Sequence, residues 1–282
     1  LAIPFFILAG NLMNKGGIAI RLINFAKIFT GSIPGALAHT NAVANMLFGA
    51  ISGSGTAAAS AMGSIIGPIE EEEGYDRAFS AAANIATAPT GLLIPPSNVM
   101  ITYSLVSGGT SVAALFMAGY IPGILMGLGS MVVAFLYAKK HNYPVSGRAS
   151  ASEALKVTLE ALPSLLLIVI VIGGIVGGIF TATEGAGICV LYCLILSVCY
   201  KSLTVQSFMK ILVSSACTSG IILFLISASS AMSFVMAYSG IPAAISSAIM
   251  SVSTNKYVIL LLMNIILLIV GMFMDITPAI LI

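Results

Sequence analysis

Two stretches decide how this sequence folds: Ser52-Gly53-Ser54-Gly55-Thr56, and Gly91-Leu92-Leu93-Ile94-Pro95-Pro96-Ser97-Asn98. Each is a short polar or helix-breaking interruption of apolar chain. Lipid supplies no hydrogen bonds, so unwound backbone at membrane depth survives only where it is buried in protein or lines a cavity. The pair therefore points to a transport protein with discontinuous helices.

The surrounding composition fixes the class. Of 282 residues, 59% are hydrophobic and 7% charged, against about 25% charged in a soluble domain. A mean hydropathy of +1.11 comes from many apolar runs, each near the ~20 residues that cross a bilayer. The expected fold is an all-α polytopic membrane protein, with no soluble domain between its spans. Cys189, Cys193, Cys199 and Cys217 lie in or at the ends of apolar runs without metal-type spacing and read as buried free thiols. A net charge of +2 gives no reason to expect nucleic acid. No nucleophile–base pair, metal cluster or phosphate loop stands at a spacing that would make an enzyme. Leu1 is not an initiator methionine and Ile282 falls inside a pattern, so the chain reads as part of a longer protein.

Charge sets the topology. Lys15, Arg21, Lys27, Arg77, Lys139, Lys140, Arg148, Lys156, Lys201 and Lys210 share one side, the cytoplasmic one by the positive-inside rule; Lys256 is the exception. Keeping Lys27 and the glutamates Glu70 to Glu73 on that side requires a re-entrant hairpin over about 34–68, tipped at Ser52 to Thr56. The four glutamates then read as a solvated cytoplasmic turn. A span over about 78–106 is broken at the second stretch, where Pro95 and Pro96 lack amide hydrogens and free upstream carbonyls. Residues 150–162 read as an interfacial amphipathic arm opened by Ser150 and Glu153, separate from a span beginning at Leu165. Glu184, in an outward loop, reads as an exposed or capping carboxylate, and His39 as a packed polar residue.

The segment after Asn14 resembles the one after Ala237: a Gly-Ile pair (Gly17-Ile18, Gly240-Ile241) opens a short piece leading to an apolar arm that carries Asn45 or Asn264. The two approach the membrane from opposite sides, the mark of an inverted repeat. Three parts follow: a first repeat over 1–149, interfacial arm and scaffold spans over 150–210, and the start of a second repeat over 211–282.

The tip of the hairpin gathers hydroxyl and carbonyl oxygens, hard ligands that suit sodium. Gly91, Ile94 and Pro96 supply freed carbonyls, and Ser97 and Asn98 add side-chain oxygens. Two such breaks face to face would make a cation cage, with helix N-termini turned toward an anionic substrate. The same small residues could serve close helix packing alone. Asp275 is the one acidic residue inside the long apolar run 257–282, where a charge costs at least ~2.5 kcal/mol unless paired, hydrated or functional; capping helix amides is the plainer role.

The run Gly49 to Ala58, then Gly74-Tyr75 and Phe79, then Ile94-Pro95-Pro96-Ser97 and Tyr103, with Thr183-Glu184 and Gly271 to Asp275 later, resembles the large membrane subunit of tripartite ATP-independent periplasmic (TRAP) transporters. Ala182, where many relatives have proline, and the glutamates 70–73 depart from the family pattern. The resemblance implies an inverted-repeat, elevator-type transporter of the bacterial inner membrane. It would couple sodium to the import of a small organic acid such as a dicarboxylate, a keto acid or sialic acid. Its implied partners are a small membrane subunit and a periplasmic binding protein, with no cofactor beyond the coupling ions. On that basis Ser52, Ser54, Gly55, Gly91, Ile94 and Pro96 would enclose one sodium, Asp275 and Thr277 would help form a second, and Ser97 and Asn98 would contact substrate or sodium. Two alternatives carry the same breaks: an ion-coupled carboxylate carrier of another elevator family that needs no binding protein, and a membrane scaffold that transports nothing.

Overall fold

The computed structural model describes residues 2–147, 149–253, 255–274 and 276–281. Among them there is no strand. The helices run α1 Ala2–Lys15, α2 Ile18–Thr30, α3 Ala36–Ser52, α4 Gly55–Glu72, α5 Arg77–Thr87, α6 Thr90–Leu93, α7 Asn98–Val106, α8 Val112–His141, α9 Ala151–Val176, α10 Ala182–Cys199, α11 Val205–Tyr238, α12 Ile241–Val252, α13 Lys256–Phe273 and α14 Ile276–Leu281. Five of them, α8 to α11 and α13, are long and apolar enough to cross a membrane; α1 and α2, bent by 70°, make a sixth if taken as one span. The protein is a multi-pass membrane protein.

Residues 1–216 form one compact unit and 217–282 a second. In the first, α3 is the hub, packed against α1, α2, α4, α5, α6, α8 and α9, while α1 lies along α10 and α2 along α9. The all-round burial of α3 explains why its polar residues Thr40, Asn41 and Asn45 bond inside protein: Thr40 donates to Ala36 O and shares a 2.7 Å hydrogen bond with Thr30. In the second unit, α12 and α13 show no buried residue.

The helix ends follow local chemistry. Gly53 ends α3 at φ +60°, a left-handed turn that costs glycine little, and Ser54 caps α4 by accepting from Ala57 N. Asp76, Ser97, Ser111 and Ser150 cap α5, α7, α8 and α9 in the same way. At α10, Thr181 and Glu184 form a reciprocal capping box, with Thr181 N donating to Glu184 Oε2 at 2.8 Å.

Three readings of the sequence change. The arm and the span over 150–180 are a single helix, α9, which runs through Pro163; a proline removes one helical hydrogen bond, and here that does not end the helix. The glutamates are not all in a solvated turn: α4 continues to Glu72, and Glu70 is buried. Of the cysteines, Cys189 and Cys193 are buried while Cys199 and Cys217 are exposed; all four are free thiols. His39 is buried, its ring 6.5 Å from that of Phe135, as a packed polar residue would be.

Candidate functional site

The two decisive stretches meet because two glycines let backbone touch backbone. A Cβ on Gly49 would lie 2.0 Å from Gly91 Cα, and one on Gly91 would lie 2.6 Å from Gly49 Cα. No other residue fits at either place without separating α3 from α6. That contact holds the end of α3 against α6 and sets the turn after α3 beside the turn after α6. Gly53 then stands 2.9 Å, measured from its ideal Cβ, from Pro96 O, and Asn98 N donates to Gly53 O at 3.4 Å.

Around this joint the predicted residues take the following places. Ser52 ends α3 and is buried, its Oγ 3.5 Å from both N and O of Ser54. Ser54 Oγ accepts from Ala57 N at 3.3 Å and lies 3.1 Å from Thr56 Oγ1. Gly55, buried, is the first residue of α4. Gly91 is buried in α6, and Ile94 closes that helix in an extended conformation, donating its amide to Thr90 O at 2.8 Å. Pro96 follows a cis Pro95–Pro96 peptide and is buried. Ser97, fully buried, caps α7 by accepting from Met100 N. Asn98 opens α7; its Oδ1 is buried and has no hydrogen-bond partner among the described residues. Ser52, Ser54, Gly55, Gly91, Ile94, Pro96, Ser97 and Asn98 thus fall at one joint. Asp275 lies outside the described residues, as does the side chain of Thr277, whose backbone belongs to α14.

Two helix ends of each kind converge here. α4 and α7 bring N-termini, where unpaired amides favour negative charge, and α3 and α6 bring C-termini, whose last carbonyls favour cations. A place that offers hydroxyls, freed carbonyls and an unpartnered amide oxygen suits a small hard cation, with an anion beside it.

A second polar group on the same arms was not legible as a site. Asn45 Nδ2 lies at hydrogen-bond distance from Asn41 Oδ1 (2.7 Å), Asn84 Oδ1 (3.1 Å) and Thr87 Oγ1 (2.8 Å), while its own Oδ1 is buried without a partner among the described residues. Asn84 Nδ2 donates to Ala59 O on α4. The network ties α3, α4 and α5 together and ends at Thr90, whose hydroxyl donates to Thr87 O at 2.6 Å, one residue before Gly91. Asn45 could be flagged in the sequence, whereas its partners on α5, Asn84 and Thr87, are 39 and 42 residues away.

The family model described as "Tripartite ATP-independent periplasmic transporter, DctM component" matches residues 1–282. This chain belongs to that family. It is 58% identical over 282 residues to the uncharacterized protein YgiK of Salmonella typhimurium, covering all of this chain and 65% of the relative. It is 38% identical over 276 residues to the sialic acid TRAP transporter large permease protein SiaM of Vibrio cholerae, covering 98% of this chain and 64% of that protein. It is likewise 38% identical over 289 residues to the C4-dicarboxylate TRAP transporter large permease protein DctM of Rhodobacter capsulatus, covering 98% and 66%. The chain thus spans about two thirds of the length of these curated relatives, and the named ones are transporter permeases rather than enzymes. For this DctM-family chain the joint of the two breaks is the candidate functional site.

Proposed function

We propose that the chain belongs to a sodium-coupled importer of a small organic anion, in which the hairpin α3–α4 and the broken segment α5–α7 move together as one elevator-like body. The observation that carries the reading is the backbone contact of Gly49 with Gly91, which sets both breaks at one joint with the unpartnered Asn98 Oδ1 beside it. In this reading α3–α4 is a re-entrant hairpin. Oxygens of Ser52, Ser54 and Gly55 and carbonyls of Gly91, Ile94 and Pro96 take one sodium. Asp275 and Thr277 help form a second site in the inverted counterpart. Ser97 and Asn98, at the N-terminus of α7, meet the substrate's carboxylate. Sialic acid and C4-dicarboxylates, named for relatives, set the substrate class. A small membrane subunit and a periplasmic binding protein complete the transporter in the bacterial inner membrane.

The test is thermal unfolding of the purified full-length protein in sodium against potassium, with Ser54→Ala and Asp275→Asn in parallel. Sodium at about a hundred times its Kd should add about 2.7 kcal/mol, and each variant should lose much of that response. Equal stability in the two salts would overturn sodium coupling and leave the breaks a packing role.

A further inference from the structure

At the far end of α4 from the joint, a cavity of about 350 Å³ is lined by Glu70, Ser80, Asn41 and Asn84, with Glu71 and Arg77 also on its wall. Glu70 is 1% exposed, and its Oε1 has no hydrogen bond of good geometry among the described residues; the same holds for Ser80 Oγ. A carboxylate buried in that way is costly unless it meets a cation or takes up a proton. The basic group nearest in the chain does not serve it: Arg77 Nε pairs with Glu71 Oε2 at 3.7 Å, and both side chains are exposed.

The other elements packed on α4 supply no cation either. On α3, His39 turns its ring toward Phe135. α6 has no titratable side chain, and α1 carries Lys15 alone, at its last residue. On α5, Arg77 is engaged with Glu71, and the remaining wall residues Ser80 and Asn84 are neutral. In the turn itself Glu72 and Glu73 add negative charge, Asp76 caps α5, and Tyr75 is neutral, its hydroxyl accepting from Leu37 N. Glu71 is thus paired and exposed while Glu70 is enclosed and unpaired, although the two are adjacent and identical in kind.

We infer that the Glu70 cavity is a proton-binding site, in which the carboxyl takes up a proton from the aqueous side of the turn and, once neutral, donates it as a hydrogen bond to the Ser80 hydroxyl. Burial pushes the carboxyl up to about 7; the Ser80 hydroxyl works against that rise and the Glu73 carboxylate adds to it. The site sits where occupancy would be felt, since Asn41 and Asn84 belong both to its wall and to the network that ends beside Gly91. The inference goes beyond sodium coupling and does not depend on it.

Infrared difference spectroscopy of the full-length protein tests it directly. A neutral-carboxyl band should be present at pH 6, absent at pH 8.5, and missing at both in Glu70→Gln. In thermal unfolding, the wild type should lose stability as the pH rises from about 4.5 to about 7 and then level off. Glu70→Gln should lack that fall and melt higher at pH 8. Identical spectra and pH profiles for the two proteins would overturn the site. At pH 8, stabilisation by sodium that disappears in Glu70→Gln but persists in Ser54→Ala would also overturn it, in favour of a metal cation there. Should Glu70→Gln fail to fold, Ser80→Ala replaces it: the band should move to higher frequency as the hydroxyl partner is lost, and an unmoved band would refute the assignment.

Discussion

Asn45 and Asn264 occupy corresponding places in two segments that open alike. α2 follows Gly17 at φ 76°, ψ 8°, and α12 follows Gly240 at φ 70°, ψ 10°, each leading from a longer helix to a short one and then to an Asn-bearing arm. Their surroundings differ. Asn45 is fully buried and joins α3 to α5, with Asn84 carrying the network on to α4, whereas Asn264 is exposed and donates to Leu260 O of its own helix at 2.8 Å. Among the described residues, nearly the same local geometry carries a tertiary network in one segment and an intrahelical bond in the other. The turn sets the direction of the chain, and the use made of a polar side chain depends on what packs against it.

The sharpest way to break this comparison is at the glycines. Gly49→Ala forces α3 away from Gly91 and should cost at least about 3 kcal/mol, abolishing any sodium response as well. Gly271→Ala on α13, where a Cβ meets nothing within 4 Å, should change stability by no more than about 1 kcal/mol. Thermal unfolding of the two variants side by side would show it, and equal losses would dissolve the contrast between the segments.

Next in size is the pH effect. A Glu70 carboxyl raised from 4.5 to about 7 binds its proton more tightly folded than unfolded. Stability therefore falls as the pH climbs from 4.5 through about 7, by about 3 kcal/mol in all, and is constant above. Glu70→Gln should recover that loss at pH 8 and leave pH 4.5 unchanged.

Asn45→Ala should cost about 2 kcal/mol by leaving Asn41 and Asn84 carbonyls unpaired in the interior. Asn264→Ala should cost less than Asn45→Ala, because its one hydrogen bond among the described residues is to its own helix. Denaturation of both pairs in lipid would sharpen the comparison, and a large effect at Asn264 would place it in a network like that of Asn45. A smaller loss than that at Asn45 is expected from Ser54→Ala in potassium: loss of the cap to Ala57 N should cost about 1 kcal/mol, so any further loss in sodium measures the ion.

Much of the fold was legible in the sequence. Gly53 and the Ser54 cap mark the hairpin turn, Pro95 and Pro96 mark the broken helix, and Thr181 with Glu184 marks the start of α10, because each acts on backbone within four residues. Reading failed where the same local signal has two outcomes. The separation expected between the arm 150–162 and the span from Leu165 is absent, since α9 runs on through Pro163. Among Glu70 to Glu73 nothing local distinguishes the buried Glu70 and half-buried Glu73 from the exposed Glu71 and Glu72.

The sequence by itself determined a multi-span helical membrane protein and the positions of its two breaks, since hydropathy and backbone hydrogen bonding are local properties. Only the tertiary structure decided that Gly49 and Gly91 touch, that Asn45 gathers partners from α3 and α5, and that Glu70 of its run is buried against a cavity. Those outcomes depend on contacts between residues ten to forty positions apart. Packing brings them together, and no pattern within a single helix records them.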